Sequence, residues 1–227
     1  MKIGVLGTGV VGQTIAAKLS DIGHDVTIGT RDVGKTVALT EPDAYGQPPF
    51  SAWVKQHPKV ALAGFSEAAA KGELLINATN GGSSLVALSQ AGGDNLAGKI
   101  LIDIANPLDF SHGMPPTLSV SNTDSLGEQI QRAFPGTKVV KALNTLTASL
   151  MVAPRQLADG DHDLFVCGND TGAKNQVAEW LRTWFGWKSI IDLGDISAAR
   201  GTEMYLPIWL RLWGALGTGV FNIKVVK

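Results

Sequence analysis

Three glycines near the start of the chain constrain its fold more than any other feature. Gly7, Gly9 and Gly12 stand in G-x-G-x-x-G spacing in "KIGVLGTGVVGQTIAAKL". The apolar run before Gly7 reads as a strand. Residues 11–22 read as a helix that turns Ile15, Ala16 and Leu19 inward. Glycines at this spacing permit a tight turn, close approach of a pyrophosphate, and close packing of helix on strand. Thr8, Val10 and Val11 complete the loop, and free N–H groups at the helix start meet phosphate charge. An incidental glycine-rich turn is the plain alternative. A spacing that directly follows a strand and opens a helix favours a dinucleotide site over it.

The rest of the chain continues the pattern. Apolar strands "HDVTIGT", "KVALAG", "ELLINAT", "KILIDIAN" and "KVVKALN" alternate with helical segments such as "SEAAAKG", "SSLVALSQAG" and "SLGEQIQRAF"; a Pro-rich loop at 41–50 and a short helix around Trp53 interrupt them. Strands separated by helices imply parallel pairing, and near-continuous apolar strands imply a sheet covered on both faces. The expected fold class is α/β, a Rossmann-type doubly wound parallel sheet over residues 1–145. A small C-terminal α/β domain is expected over 146–227, from "HDLFVCG", "GAKNQVAEWLRTWFG" and "KSIIDLG". The apolar start is better explained as a strand than as a signal peptide.

Composition narrows the function. The chain of 227 residues is 44% hydrophobic and 17% charged, which fits a compact globular protein. A net charge of -1 gives no footprint for nucleic acid. A single cysteine, Cys167, rules out an intrachain disulfide and a cysteine-rich metal site, and a reducing, cytoplasmic setting is expected. None of the four histidines forms a metal-binding motif with its neighbours. The segment 204–223, "MYLPIWLRLWGALGTGVFNI", is long and greasy enough to raise the question of a membrane span. Arg211 near its middle and Pro207 argue instead for a helix buried at a domain or subunit interface.

The end of the second strand identifies the nucleotide. A Rossmann chain is expected to read the adenosine ribose about 20 positions past the glycine loop, commonly with a carboxylate. Here the residues are Thr30 and Arg31, followed by Lys35. A hydroxyl, a guanidinium and an ammonium all suit a 2′-phosphate, so the expected cofactor is NADP. The alternative is an Arg31 that lies in solvent paired with Asp32, and an Asp32 pointed inward would restore NAD binding.

Ligands of open α/β sheets lie beyond the carboxyl ends of the strands. The rim loops there are "NATNGGSS", "IANPLD" and "ALNTLTASL". They offer Thr79, Asn80, Asn106, Pro107 and Asn144 as site residues, with plain turn chemistry as the alternative for each. Tyr-x-x-x-Lys, paired carboxylates and a G-x-S-x-G elbow are all missing. Hydride transfer to a flavin-like ring needs mainly stacking distance and orientation, because the cofactor carries the reactivity.

The segments "KIGVLGTGVVG", "IGTRD", "KVVKALNT", "VCGND", "DLGDISAAR" and "FNIKVV" resemble the NADPH-dependent reductases of the deazaflavin coenzyme F-420 over nearly the whole chain. The resemblance implies a Rossmann domain with a small C-terminal domain, a homodimer, and direct hydride transfer between NADP and a deazaflavin or other flavin-like ring. It places the phosphate-reading residues on Thr30, Arg31 and Lys35, and the start of the phosphate turn on Thr8 and Gly9. It also places Asn144 and Phe221 against the second ring. Deazaflavin reductases carry a His in "ALHT", whereas this chain has Asn144, like the reductase domain of the six-transmembrane ferric reductases, which use an ordinary flavin. Two other readings remain open on sequence: a reductase of a small carbonyl or imine, and an NADPH-binding redox sensor without turnover.

Overall fold

The structure, a computed structural model, describes residues 1–42, 46 and 48–227. The remaining positions of the Pro-rich loop expected at 41–50 lie outside the described residues. In chain order the elements are β1 (Lys2–Leu6), α1 (Val10–Asp21), β2 (Asp25–Thr30), α2 (Val33–Ala38), α3 (Phe50–Gln56), β3 (Ala61–Gly64), α4 (Phe65–Lys71), β4 (Leu74–Asn77), α5 (Ser84–Ala91), α6 (Gly93–Leu96) and β5 (Ile100–Asp103). A short hairpin, β6 (Leu108–Asp109) and β7 (Thr117–Leu118), precedes α7 (Leu126–Ala133) and β8 (Lys138–Ala142). The chain ends with α8 (Ala148–Val152), β9 (Asp163–Gly168), α9 (Thr171–Trp180), β10 (Ser189–Asp192), α10 (Ala199–Met204) and α11 (Leu206–Leu216).

One sheet runs through the molecule in the order β10-β9-β8-β5-β4-β1-β2-β3. From β3 to β8 every pairing is parallel, the arrangement expected of a doubly wound sheet. Strand residues alternate between two apolar layers. Ile3, Val5, Ile76 and Val140 face α1, α8 and α9, whereas Leu6, Leu75, Leu101 and Val139 face α4, α5 and α7. Burial on both faces explains why these strands read as near-continuous apolar runs.

Past residue 145 the chain extends this sheet and builds no sheet of its own. β9 joins β8 in antiparallel register, with Val140 opposite Gly168, and β10 then pairs parallel to β9. The cause lies in the connection. α8 has five residues, and at 1.5 Å per residue it advances only about 7.5 Å. The rest of the connection, with short 3-10 turns at Pro154–Gln156 and Ala158–Gly160, keeps to the same end of the sheet, so β9 starts where β8 stops and runs back along it.

The apolar segment expected to be buried does not bury itself in this chain. α11 has eleven residues and follows α10 after a single turn residue. Only Leu206 is buried, while Ile208, Trp213, Leu216 and, beyond the helix, Val220 are exposed. Among the described residues no helix is long and apolar enough to cross a membrane.

Candidate active site

The sheet order reverses between β1 and β4, and two cavities open at that switch point. The larger, of about 790 Å³, runs from the glycine loop to the end of β2. Gly7, Thr8, Gly9, Thr30, Arg31 and Lys35 line it together with Thr79 and Asn80. Gly7 has φ +123, a conformation that L side chains rarely adopt, and a Cβ there would lie 2.4 Å from the Ala78 carbonyl oxygen. A Cβ on Gly12 would lie 2.1 Å from the Gly7 carbonyl oxygen, so helix and turn touch backbone to backbone. At Gly9 a Cβ would meet nothing within 4 Å, since that face opens into the cavity. α1 has no side-chain N-cap, so its first-turn N–H groups, on Val10, Val11 and Gly12, remain for an anion. Gln13 Nε2 donates to the Thr8 carbonyl at 2.8 Å and holds the loop from behind. These features fit a pyrophosphate.

This close packing gives a direct test. Gly12→Ala must push the turn and α1 apart. Overpacking of this kind costs roughly 1–3 kcal/mol, and NADPH titration should show affinity falling about tenfold or more. Unchanged affinity would mean that the turn does not hold the nucleotide.

At the other end of the cavity the side chains divide the work. Thr36 Oγ1 donates to the Asp32 carbonyl at 2.7 Å, so its partner Thr30 must supply the proton in the 2.8 Å bond between the two hydroxyls. The buried Thr30 therefore faces a ligand with lone pairs, and donors for a phosphate come from the exposed Arg31 and Lys35. Asp32 caps α2, accepting from the Lys35 backbone N–H at 2.9 Å. Among the described residues Arg31 forms no ion pair. The Asp32 carboxylate instead lies 4.0 Å from Lys35 Nζ.

The smaller cavity, of about 220 Å³, lies on the β4–β5 side. Its walls include Val11, Thr79, Asn80, Ile104, Asn106, Leu108 and the exposed Phe110. No side chain lining it is titratable. Asn106 and Asn144 form a reciprocal clasp beside it. Asn144 Nδ2 donates to Asn106 Oδ1 at 2.9 Å, and Asn106 Nδ2 donates to the Asn144 carbonyl at 2.8 Å. Leu143, at φ +64, makes the turn that brings Asn144 there. A left-handed conformation is costly for such a residue, and strain of this kind clusters at functional sites. Pro107 lines a separate small pocket with Gly81 and Gly82. Phe221 lines neither cavity and stacks on Trp209, with ring centroids 5.4 Å apart.

Beneath the rim lies a feature the sequence reading missed. Lys141 on β8 is fully buried and donates to Asp103 on β5 at 2.8 Å, to Glu203 on α10 at 2.7 Å and to the Ala105 carbonyl. Burial opposes its charge, but the two carboxylates outweigh burial and raise its pKa above the usual lysine value. Glu203 also accepts from the N–H groups of Leu126 and Gly127 at the start of α7, while burial pushes its pKa up. Asp103 accepts from Asn77 Nδ2 at 2.8 Å. The visible signal was a charged residue inside each of two apolar strands, "ILID" and "KVVKA". Nearby Cys167 is buried, its thiol pushed up to about 12 by burial, so it stays protonated and is no nucleophile.

A Rossmann sheet with a glycine-loop phosphate site and a basic ribose end defines a dinucleotide-binding protein, and the comparisons agree. The profile of the family described as NADP oxidoreductase, coenzyme F-420-dependent, matches residues 2–107. A solved structure from Arthrobacter sp. FB24, provisionally named an F-420-dependent NADP reductase, is 62% identical with a TM-score of 0.96, and each chain covers 100% of the other. The F-420-dependent NADP reductase of Methanothermobacter marburgensis is 28% identical over 216 residues, 93% of this chain and 92% of that one. Metalloreductase STEAP3 of Rattus norvegicus is 30% identical over 216 residues, 92% of this chain. The chain spans only 38% of that metalloreductase's length. The chain belongs to the coenzyme F-420-dependent NADP oxidoreductase family and is an NADP-dependent oxidoreductase.

Proposed function

We propose that the protein transfers hydride between NADP(H) and a flavin-like ring, either the deazaflavin coenzyme F-420 or a flavin. One observation carries this reading: the cavity beyond the phosphate site is walled by apolar groups, amides and the Thr79 hydroxyl, whose proton is given to Asn77 Oδ1, and has no titratable side chain in its lining. A carbonyl or imine reductase needs a proton donor at the reacting atom, and these walls hold none. NADPH, when bound, supplies the hydride. The chain's own residues bind and orient. Arg31 and Lys35 hold the 2′-phosphate, the α1 N-terminus holds the pyrophosphate, and Ile104, Leu108 and Phe110 offer a flat ring an apolar wall that excludes water. The Asn106–Asn144 clasp fixes the floor without exchanging protons.

Mixing the protein with NADPH and a panel of deazaflavin, FMN, FAD and quinones, followed at the nicotinamide absorbance band, tests the reading. Oxidation with a deazaflavin or flavin is expected. NADPH binding without turnover on any acceptor would replace the enzyme reading by that of a redox sensor.

The resemblance also implies a homodimer, and the exposed apolar face of α11 supports one. Ile208, Trp213 and Leu216 form too large a patch to leave in water, and the face carries no acidic side chain. Light scattering at micromolar concentration should give a dimer for the wild type and a monomer for Ile208→Glu/Trp213→Glu. A wild-type monomer would defeat this part of the proposal.

A further inference from the structure

Lys141, Asp103 and Asn77 form a buried chain that ends at the cavities, and its hydrogen bonds allow only one direction. Lys141 uses its three N–H donors on Asp103, Glu203 and the Ala105 carbonyl. Asp103, paired with an ammonium, only accepts, so the neighbouring Asn77 must present its Nδ2 to it. The Asn77 amide is thereby fixed, and its other Nδ2 hydrogen points to Ser84 Oγ at 3.2 Å. Asn77 Oδ1 then faces Thr79 and accepts from its hydroxyl at 2.7 Å. The single Thr79 proton is therefore engaged. Thr79 Oγ1 also lies 2.8 Å from Ser84 Oγ, whose one proton is shared between Thr79 and the Asn80 carbonyl oxygen 3.3 Å away. What Thr79 has left for a ligand is a lone pair.

Thr79 follows β4 and lines both cavities, so it stands at the passage from the phosphate end to the β4–β5 side. A dinucleotide laid across the switch point puts its nicotinamide half there. A hydroxyl that can only accept does not suit a phosphate oxygen. It suits a ribose hydroxyl or the carboxamide NH₂.

We propose that Asp103, held by Lys141, is a positioning residue that acts through Asn77 to fix Thr79 as the hydrogen-bond acceptor for the nicotinamide half of the dinucleotide. The proposal rests on the NADP reading above. An isosteric Asp103→Asn change would break the chain at its first link. With its oxygen turned to Lys141, the new amide would set its N–H against the Asn77 Nδ2 and Ala105 N–H that now donate to Asp103 Oδ1, so Asn77 would lose its anchor and hold Thr79 only through the bonds that Asn77 Oδ1 accepts from the Thr79 hydroxyl and backbone N–H. Glu203 remains to balance Lys141 in that variant, so the buried charge stays paired.

The test compares affinities for NADPH and for adenosine 2′,5′-bisphosphate, which carries the 2′-phosphate end and no nicotinamide half. Thr79→Val should weaken NADPH roughly three- to tenfold, the scale of one neutral hydrogen bond. It should leave the bisphosphate unchanged, and Thr79→Ser should restore NADPH binding. Asp103→Asn should weaken NADPH similarly and add nothing in the Thr79→Val background. A purely structural role would instead give losses that multiply, or losses shared by both ligands. The 3-acetylpyridine analogue of NADPH, which lacks the carboxamide NH₂, should be insensitive to Thr79→Val if that group is the donor and remain sensitive if the donor is a ribose hydroxyl. Unchanged NADPH affinity in Thr79→Val, or multiplying losses in the double variant, overturns the proposal. Should Asp103→Asn fail to fold, the Thr79→Val and Thr79→Ser pair decides alone. A wild type that binds NADPH but not the bisphosphate would overturn the placement of the 2′-phosphate instead, leaving the Thr79 comparison intact.

Discussion

Replacing Lys141 by Met is expected to destabilise the protein by roughly 3–5 kcal/mol, because it leaves buried carboxylates without their counter-ion. That is a large share of the roughly 5–15 kcal/mol that holds a typical domain folded. The side chains of Lys141, Asp103 and Glu203 are almost wholly removed from solvent, so water cannot replace the ammonium. Methionine fills much of the volume and isolates the charge as the cause. The sign of the pH dependence follows from Glu203. Burial already raises its pKa, and losing Lys141 raises it further. The folded variant then holds a proton that the unfolded chain has released at neutral pH. Its stability therefore falls as pH rises from the ordinary carboxylate range through the raised folded value. Urea titrations at pH 5 and pH 8 should show the larger deficit at pH 8. Equal, small deficits at both would mean that the three groups do not act as an ion cluster.

Arg31→Ala is expected to weaken NADPH about ten- to a hundredfold, from the loss of charge-assisted hydrogen bonds worth roughly 1.5–3 kcal/mol. NADH should be affected little, since it lacks the phosphate that the guanidinium reads. Lys35 also lines the cavity and leaves part of the attraction in place. Isothermal titration with both nucleotides checks this. Equal weakening of the two would show that Arg31 stacks or packs without reading the 2′-phosphate.

The parallel core was legible because its signals are local. Val5 and Leu6, or Leu75 and Ile76, reveal strands covered on both faces, and Gly7 and Gly12 reveal a turn packed on a helix. Strand direction is not local. Nothing in "HDLFVCG" distinguishes a parallel β9 from the antiparallel one, which depends on the end of the sheet to which the whole connection over 143–162 returns the chain. The hairpin that carries Leu108 and Phe110 to the smaller cavity has two-residue strands, too short to show any period. Thr30 and Arg31 were legible as a pair, but the division of labour between them depends on Thr36, whose hydroxyl fixes the direction of the Thr30 proton. The ion cluster was hidden for a similar reason. Asp103 and Lys141 are 38 residues apart in sequence, and only the β5–β8 pairing makes them neighbours. α11 reads as greasy in any frame, and a sequence does not say whether the chain itself or a second copy covers it.

The central claim is that hydride passes directly from NADPH to a flavin-like ring with no side-chain acid or base taking part. Its most direct test is the single-turnover rate of acceptor reduction by NADPH carrying deuterium at nicotinamide C4, measured at pH 6 and pH 8. The account predicts a normal primary isotope effect and nearly the same rate constant at both pH values. A rate that follows the titration of a single group, or that shows no isotope effect while the ring is reduced, would contradict it.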